Sequence, residues 1–371
     1  MYFKILTSEL ASKLNIVSKA ISFNSPLPSL QGIKIVVNNE KLQLTASDMN
    51  ISIQSNIYPT EENKLEIYSE GEIVLESRYF LEMIRKIDSE YVEVEIIDGN
   101  LTSIRDQYVN FELNGIKAEN YPVIDFERPG NSVFVKASLL KEIISQTVFA
   151  ASDKETRPVL TGLNIKCENN ELTCVATDSY RLAQKKVLLD NGFDFNVTIP
   201  AKTLSELVKV IDGDGEIEIS LNDKKALFMF DSMFISTRLI EGSYPETARL
   251  IPNEFAYELV IDARTLLNAI NRASFIKNDG VSIIKMELTS GEIIISSKSG
   301  DIGSVETIVP DSYTGGNLSI AFKGQYVYDA IRVLGALKVK VQFGGTMKPF
   351  IITSLDDEDV LQLVLPIKTY N

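Results

Sequence analysis

Six stretches of the chain align without gaps over twelve places, and no other feature restricts the fold as much. They are "FKILTSELASKL" from Phe3, "IVLESRYFLEMI" from Ile73, "VFVKASLLKEII" from Val133, "VTIPAKTLSELV" from Val197, "LVIDARTLLNAI" from Leu259 and "IAFKGQYVYDAI" from Ile320. Places one and three are apolar in all six, the alternation of a short half-buried strand. Places eight and twelve are apolar in all six as well, at the i, i+4 spacing of one helix face. The pattern predicts a strand followed by a helix, six times over. The starts lie 60 to 70 residues apart, which leaves room for several more strands in each interval.

A second repeat has twice the period. "GIKIVVNNEKLQLTASD" from Gly32 overlays "GLNIKCENNELTCVATD" from Gly162, with the leading Gly, the Asn-rich turn and the closing Asp in register. Both read as hairpins of half-buried strands. The joints recur too: "NYPVIDFERPGN" from Asn120 and "SYPETARLIPNE" from Ser243 each set Tyr-Pro before a polar, Pro-containing stretch that no helix continues through. A chain of 371 residues is too long for one ordinary core. The expected fold is α+β, three similar domains at 1–126, 127–253 and 254–371, each with two strand-helix-strands units.

The segment "VATDSYRLA" from Val175 crowds Asp178, Ser179, Tyr180 and Arg181 at a strand end. One reading makes Asp178 a catalytic acid. The other makes it a turn-former whose carboxylate accepts backbone N–H groups, as the equivalent "TASDMNISI" implies; the third domain has "SSKSGDIGS" there. Histidine is absent altogether, which removes Ser-His-Asp and Cys-His nucleophile pairs and His-containing metal sites. GxxxxGK[ST] and GxGxxG are also missing; no cofactor or metal is expected, and catalysis, for which none of these motifs speaks, is left to Asp, Glu, Lys or Ser, with an Asp178 hydrolase as the competing reading to a chain that has no catalytic residue. "MYFKILTSEL" lacks the order of a signal peptide and no apolar run approaches a membrane span, so a cytoplasmic protein is expected, which the resemblance given below makes nucleoid-associated. Cys167 and Cys174 face each other across a predicted hairpin; a disulfide fits, and reduced core residues fit a chain without a secretion signal.

With 37 basic and 51 acidic residues the net charge is −14, which opposes polyanion binding unless the bases are gathered. Places six and thirteen of the repeat lie nearly opposite the apolar face. They hold Ser8, Asn15, Arg78, Arg85, Ser138, Ser145, Lys202, Lys209, Arg264, Asn271, Gln325 and Arg332, six of them basic and none acidic. Place ten on the same flank carries Glu82, Glu142, Glu206 and Asp329, so solvated faces with i, i+4 ion pairs are the competing reading. If the helices line a ring, packing about 10 Å apart, six leave an opening of about 9 Å once their own thickness is subtracted. Twelve leave about 28 Å, and a B-form duplex is roughly 20 Å wide. A ring around DNA therefore needs two copies joined head to tail, first domain against third.

Taken together, "RPVLTGL" from Arg157, "ATDSYRLA" from Ala176, "SYPETARLIP" from Ser243 and "LQLVLPIK" from Leu361 give the chain a full-length resemblance to the bacterial sliding clamps, the beta subunits of DNA polymerase III. The resemblance implies a non-catalytic homodimeric ring, helices inside and sheets outside. Such a ring tethers the replicative polymerase to double-stranded DNA without reading sequence. Implied partners are the polymerase alpha subunit, a clamp loader, and other polymerases and repair proteins carrying clamp-binding peptides; none is a membrane. The family's peptide cleft matches Leu160, Thr177, Ser179, Tyr180, Arg181, Leu182, Pro245, Arg249, Leu250, Tyr326, Met347, Pro349, Leu363, Leu365, Pro366 and Ile367. Leu160, Leu182, Leu250 and Leu365 are expected to wall an apolar pocket, with Arg181 and Arg249 as donors at its rim.

DNA contacts are expected from Arg78, Arg85, Arg157, Lys202, Lys209, Arg264 and Arg332, and a dimer seam from Phe275 and Ile276. Tyr180 replaces a frequent His of the family, Asn24 replaces a basic DNA-contacting residue of some members, and Tyr370 and Asn371 extend past the usual end. A repeat-built interaction scaffold that never encircles DNA is the alternative function.

Overall fold

Each of the six aligned stretches folds as a strand running directly into a helix. In this computed structural model, which describes residues 1–368, the helices are α1 (Thr7–Val17), α2 (Ser77–Arg85), α3 (Ala137–Thr147), α4 (Ala201–Val208), α5 (Ala263–Ala273) and α6 (Gly324–Leu334). The strands feeding them are Tyr2–Leu6, Gly71–Glu76, Asn131–Lys136, Phe195–Pro200, Tyr257–Asp262 and Leu318–Lys323. Places eight and twelve bury Leu10 and Leu14, Phe80 and Ile84, Leu140 and Ile144, Leu266 and Ile270, and Val327 and Ile331. Each such side chain contributes about 1.5–3 kcal/mol, which holds these short helices to their sheets. Helix α4 departs from the pattern. Leu204 and Leu207 are buried while Val208 is only half-buried, because the helix ends there and the Lys209 and Val210 amides bond back by three residues to Glu206 and Leu207.

Capping is sparse. Asp262 caps α5 through Thr265 N–H at 2.7 Å. Helix α6 stops at Gly335, whose φ of 61° is the left-handed conformation that glycine adopts without a Cβ clash.

The chain divides into two compact units, residues 1–137 with 206–239, and residues 138–205 with 240–371. The first unit holds a five-stranded sheet in the order Glu66–Ser69, Tyr2–Leu6, Tyr91–Asp98, Leu101–Arg105 and Asn110–Asn114. Its eight-stranded sheet runs Asn131–Lys136, Glu216–Leu221, Lys225–Phe230, Met233–Arg238, Ile51–Ile57, Leu42–Ser47, Gly32–Val37 and Gly71–Glu76.

In the second unit a nine-stranded sheet runs Phe195–Pro200, Gly162–Glu168, Glu171–Thr177, Arg181–Leu188, Val360–Val364, Phe350–Ser354, Lys338–Phe343, Tyr257–Asp262 and Ser312–Thr314. A four-stranded sheet runs Ile302–Ile308, Ile293–Ser299, Ile283–Leu288 and Leu318–Lys323. Every pairing is antiparallel. The middle third of the sequence is shared between the units because its strands join two different sheets: Ile235 pairs with Ile53 in one, and Leu182 with Leu363 in the other. Among the described residues no helix is long and apolar enough to cross a membrane.

Both hairpins of the longer repeat form, Gly32–Val37 with Leu42–Ser47 and Gly162–Glu168 with Glu171–Thr177. Cys167 and Cys174 are free and buried. They are diagonal rather than directly opposite, since Cys174 pairs with Ile165 and Cys167 with Leu172. A two-residue turn at Asn169 and Asn170, both with positive φ, sets that register.

Candidate functional site

The residues singled out around Asp178 all lie in the second unit, where the Arg181–Leu188 and Val360–Val364 strands meet. Asp178 is a turn-former. Its Oδ1 accepts the amides of Tyr180 at 2.9 Å and Arg181 at 3.0 Å, an Asx turn with Ser179 in the left-handed region at φ 76°. Thr177 Oγ1 closes the loop by donating to Arg181 C=O at 2.6 Å. The turn leaves Ser179 and Tyr180 exposed and turns Leu182 inward, 2% exposed.

Arg181 does not stand at a rim with free donors. Its Nε donates to Asp178 Oδ2 at 3.1 Å, Nη1 to Asp329 Oδ2 at 2.9 Å and Nη2 to Phe149 C=O at 2.7 Å. The guanidinium carbon lies 4.5 Å from the Tyr326 ring centre and 5.2 Å from that of Phe149. With its side chain only 14% exposed, this cation is a knot tying the turn to α6 and to the segment after α3. Burial beside it, with the Asp178 charge second, pushes the Tyr326 phenol up to about 12.

The expected pocket is also differently walled. Leu182 and Leu363 are buried in a cluster with Val175 and Ile351, against which Leu365, Tyr244, Ile251 and Phe255 pack half-buried. Leu160, on the 3-10 turn Pro158–Thr161, is only 3% exposed. Leu250 is 53% exposed and Met347 57%, and Tyr326, Pro349, Leu365, Pro366 and Ile367 are half-buried. Tyr180, Pro245, Leu250 and Met347 are thus exposed and Leu160, Leu182 and Leu363 buried, with the last described segment, from Leu365, half-buried as far as Ile367. That segment is fastened by Leu365 N–H to Tyr180 C=O at 2.9 Å and Ile367 N–H to Ala321 C=O at 2.7 Å. Arg249 is exposed and pairs with Glu246 at 3.1 Å. Tyr370 and Asn371 lie outside the described residues.

Sequence reasoning passed over several residues that pack at this site or at its twin turn in the first unit. Asp329 stood out only as an acid on a helix flank, and Phe149 not at all. Tyr244 and Tyr121, which mark the two Tyr-Pro joints, bury their hydroxyls beside the backbone of Thr177 and Ser47 respectively without a hydrogen bond of ordinary geometry, and burial pushes both phenols up. The signal was present, since Ser47 and Thr177 are equivalent in the longer repeat. Lys185 is 5% exposed and bonds Asp357 at 2.8 Å and Glu142 at 3.0 Å. Its burial favours the neutral amine, but the two carboxylates outweigh that and hold the ammonium above its usual range.

All twelve residues at places six and thirteen are exposed. In the first unit Arg85 on α2 donates to Asn15 on α1 at 2.7 Å, so the two outer faces are continuous there. Arg85, Lys209 and Arg332 also reach acids one turn away, Glu82, Glu206 and Asp329. Arg78, Arg157 and Arg264 are exposed and make no ion pair among the described residues; Lys202 is exposed as well. Asn24 is exposed, in the segment between the 3-10 turns Ser18–Ala20 and Pro28–Gln31. Of the seam pair, Phe275 is 69% exposed and Ile276 4%. Beside the end of α5 runs the edge strand Ile302–Ile308, tied by Arg272–Glu306 and presenting Ile302 and Val305 outward.

Models of three DNA polymerase III beta subunit domains match in sequence order: the N-terminal domain over residues 1–125, the central over 134–246 and the C-terminal over 248–368. The chain is 40% identical over 379 aligned positions to the beta sliding clamp of Bacillus subtilis (strain 168), and 39% over 377 to that of Staphylococcus epidermidis (strain RP62A); each alignment covers 100% of both chains. The solved DNA polymerase sliding clamp from Bacillus subtilis superimposes with a TM-score of 0.96 at 38% identity, covering 100% of both chains. The DNA polymerase III beta chain of Streptococcus pneumoniae TIGR4 does so at 0.95 and 33%, covering 99% of this chain and 100% of that one.

Proposed function

Since the chain belongs to the DNA polymerase III beta subunit family over nearly its whole length, we propose that it works as a sliding clamp, a homodimeric ring that encircles duplex DNA and tethers the replicative polymerase. It is not an enzyme; its task is topological. The observation that carries this reading beyond the family is the exposure of all twelve acid-free positions on six repeated strand-helix units in a chain of net charge −14. Arg78, Arg85, Arg157, Lys202, Lys209, Arg264 and Arg332 would meet phosphates without reading bases, while the acidic remainder discourages binding elsewhere.

Residues 1–126, 127–253 and 254–371 are the three domains of each half-ring. For the seam, the edge strands Ile302–Ile308 and Asn110–Asn114 offer unpaired backbone. Phe275 and Val305, backed by buried Ile276, supply apolar surface on one side, and Tyr108, 82% exposed, on the other. Peptides of the polymerase alpha subunit, the clamp loader, other polymerases and repair proteins would dock on the outer residues around Tyr180, Leu250, Met347 and Leu365. Their Leu and aromatic anchors carry most of the affinity.

The test is retention on closed circular DNA after loading, at a salt concentration that removes ordinary phosphate contacts. Protein that leaves only when the circle is cut supports the ring. A stable monomer by light scattering, or equal loss from cut and closed circles, removes it in favour of an interaction scaffold.

A further inference from the structure

One carboxylate in the second unit faces two sites at once. Asp329 sits in the middle of α6, 9% exposed. Its Oδ2 accepts Arg181 Nη1 at 2.9 Å. Its Oδ1 accepts Gln325 Nε2 at 2.9 Å and lies 3.6 Å from Arg332 Nη2. Arg181 belongs to the turn that shapes the peptide surface; Gln325 and Arg332 are places six and thirteen of α6, on the face assigned to DNA. No other side chain among the described residues bonds both sets. Tyr326, three residues before Asp329, lies under the same guanidinium, with its ring centre 4.5 Å from the guanidinium carbon.

We propose that Asp329 is a positioning residue that couples phosphate contact at Arg332 to peptide affinity at the Tyr180–Leu365 surface, an assignment that rests on the clamp reading of both faces. In the free protein Arg332 and Arg181 both pair with Asp329, and Arg181 pairs with Asp178 as well. A DNA phosphate draws Arg332 off Oδ1, because its side chain is 60% exposed and held only by this 3.6 Å pair and by the Tyr328 ring 5.9 Å away. The carboxylate is then less neutralised and holds Arg181 more firmly. A firmly held Arg181 fixes the Asp178–Arg181 turn, Tyr180 C=O and the Leu365 amide bonded to it, so this surface loses less freedom when a peptide docks. Linkage makes the effect reciprocal: bound peptide favours the state in which Arg332 is available to phosphate. The coupling is small, because its variable part is an exposed ion pair; about twofold to fivefold in affinity is the range for such a pair.

The test is a double-mutant cycle read by fluorescence polarisation of a labelled ten-residue peptide with a Leu-Phe anchor pair, without DNA. Arg332→Gln should bind the peptide about two- to fivefold more tightly than wild type. Asp329→Asn should bind it more weakly, and adding Arg332→Gln to Asp329→Asn should change nothing further. A 30-base-pair duplex should reproduce the Arg332→Gln effect on wild type and lose it in Asp329→Asn. Asp329→Glu, which keeps the charge, should restore part of the response if Asp329→Asn has loosened the fold. An Arg332→Gln effect that persists at full size in the Asp329→Asn background overturns the proposal, as does a wild type that binds peptide and duplex without influence of one on the other. A wild type that binds no peptide removes the cleft reading itself, and the coupling with it.

Discussion

After the strand Leu42–Ser47, Asp48 Oδ1 accepts the amides of Asn50 and Ile51, both at 2.9 Å; after Glu171–Thr177, Asp178 Oδ1 accepts those of Tyr180 and Arg181 at 2.9 and 3.0 Å. Met49 and Ser179 occupy the same left-handed position, at φ 72° and 76°. A Tyr from a Tyr-Pro joint buries its hydroxyl beside each turn. The two backbones are one design, and they part at the third residue after the Asp. Ile51 is 3% exposed and joins the first unit's core, whereas Arg181 in the second unit ties Asp178, Asp329 and Phe149 together. The shared Asp is therefore scaffold, and the two turns differ in what they present. A side chain one repeat keeps apolar became, in the other, a charge-assisted knot beneath an exposed Tyr.

Removing the knot should have the largest effect. Arg181→Ala leaves Asp329 nearly buried without its main cation, and breaking such a pair from one side costs about 3–5 kcal/mol. Urea denaturation should show that loss, with peptide binding reduced beyond detection; a variant as stable as wild type would mean the pair is not formed in solution. Next comes Leu182→Ala, where truncating a side chain 2% exposed costs about 2–4 kcal/mol. Its peptide defect would thus mix lost stability with lost contact. Leu250→Ala, on a side chain 53% exposed, separates the two: stability should stay within about 0.5 kcal/mol of wild type while peptide affinity falls. Equal losses of peptide binding and stability in Leu250→Ala would place Leu250 in the core instead.

The repeat made most of the fold legible. Strand and helix alternation was visible at places one, three, eight and twelve because each place has one burial requirement repeated six times, and averaging over six copies cancels local exceptions such as Val208. The Asx role of Asp178 was legible because its twin stands in a segment with no cluster of reactive groups around it. Sheet partnership was not. Nothing in the sequence near Ile53 or Ile235 says that they pair, because both are ordinary inward residues and the choice is made by non-local packing. The fate of Arg181 was hidden for a related reason. An Arg after a polar turn reads as exposed unless its counter-charge is known, and Asp329 lies 148 residues away on a helix whose acids resemble ordinary surface partners.

The smallest difference that still divides the two turns is that between Asp178→Asn and Asp48→Asn. Asparagine keeps an Oδ1 acceptor, so both variants can retain the two amide bonds, whose loss of charge assistance costs less than about 1 kcal/mol. At Asp178 there is a further loss, because Oδ2 also accepts Arg181 Nε at 3.1 Å, and an amide NH₂ placed there would face a donor. Asp178→Asn should therefore cost about 1 kcal/mol for that bond, with weakened peptide binding that Asp48→Asn does not share. Urea titrations of Asp178→Asn in the wild-type and Arg181→Gln backgrounds measure the bond's share. Equal costs in the two backgrounds would show that the Asp178–Arg181 bond adds nothing to the turn, leaving Asp329 and the two rings to hold the guanidinium alone.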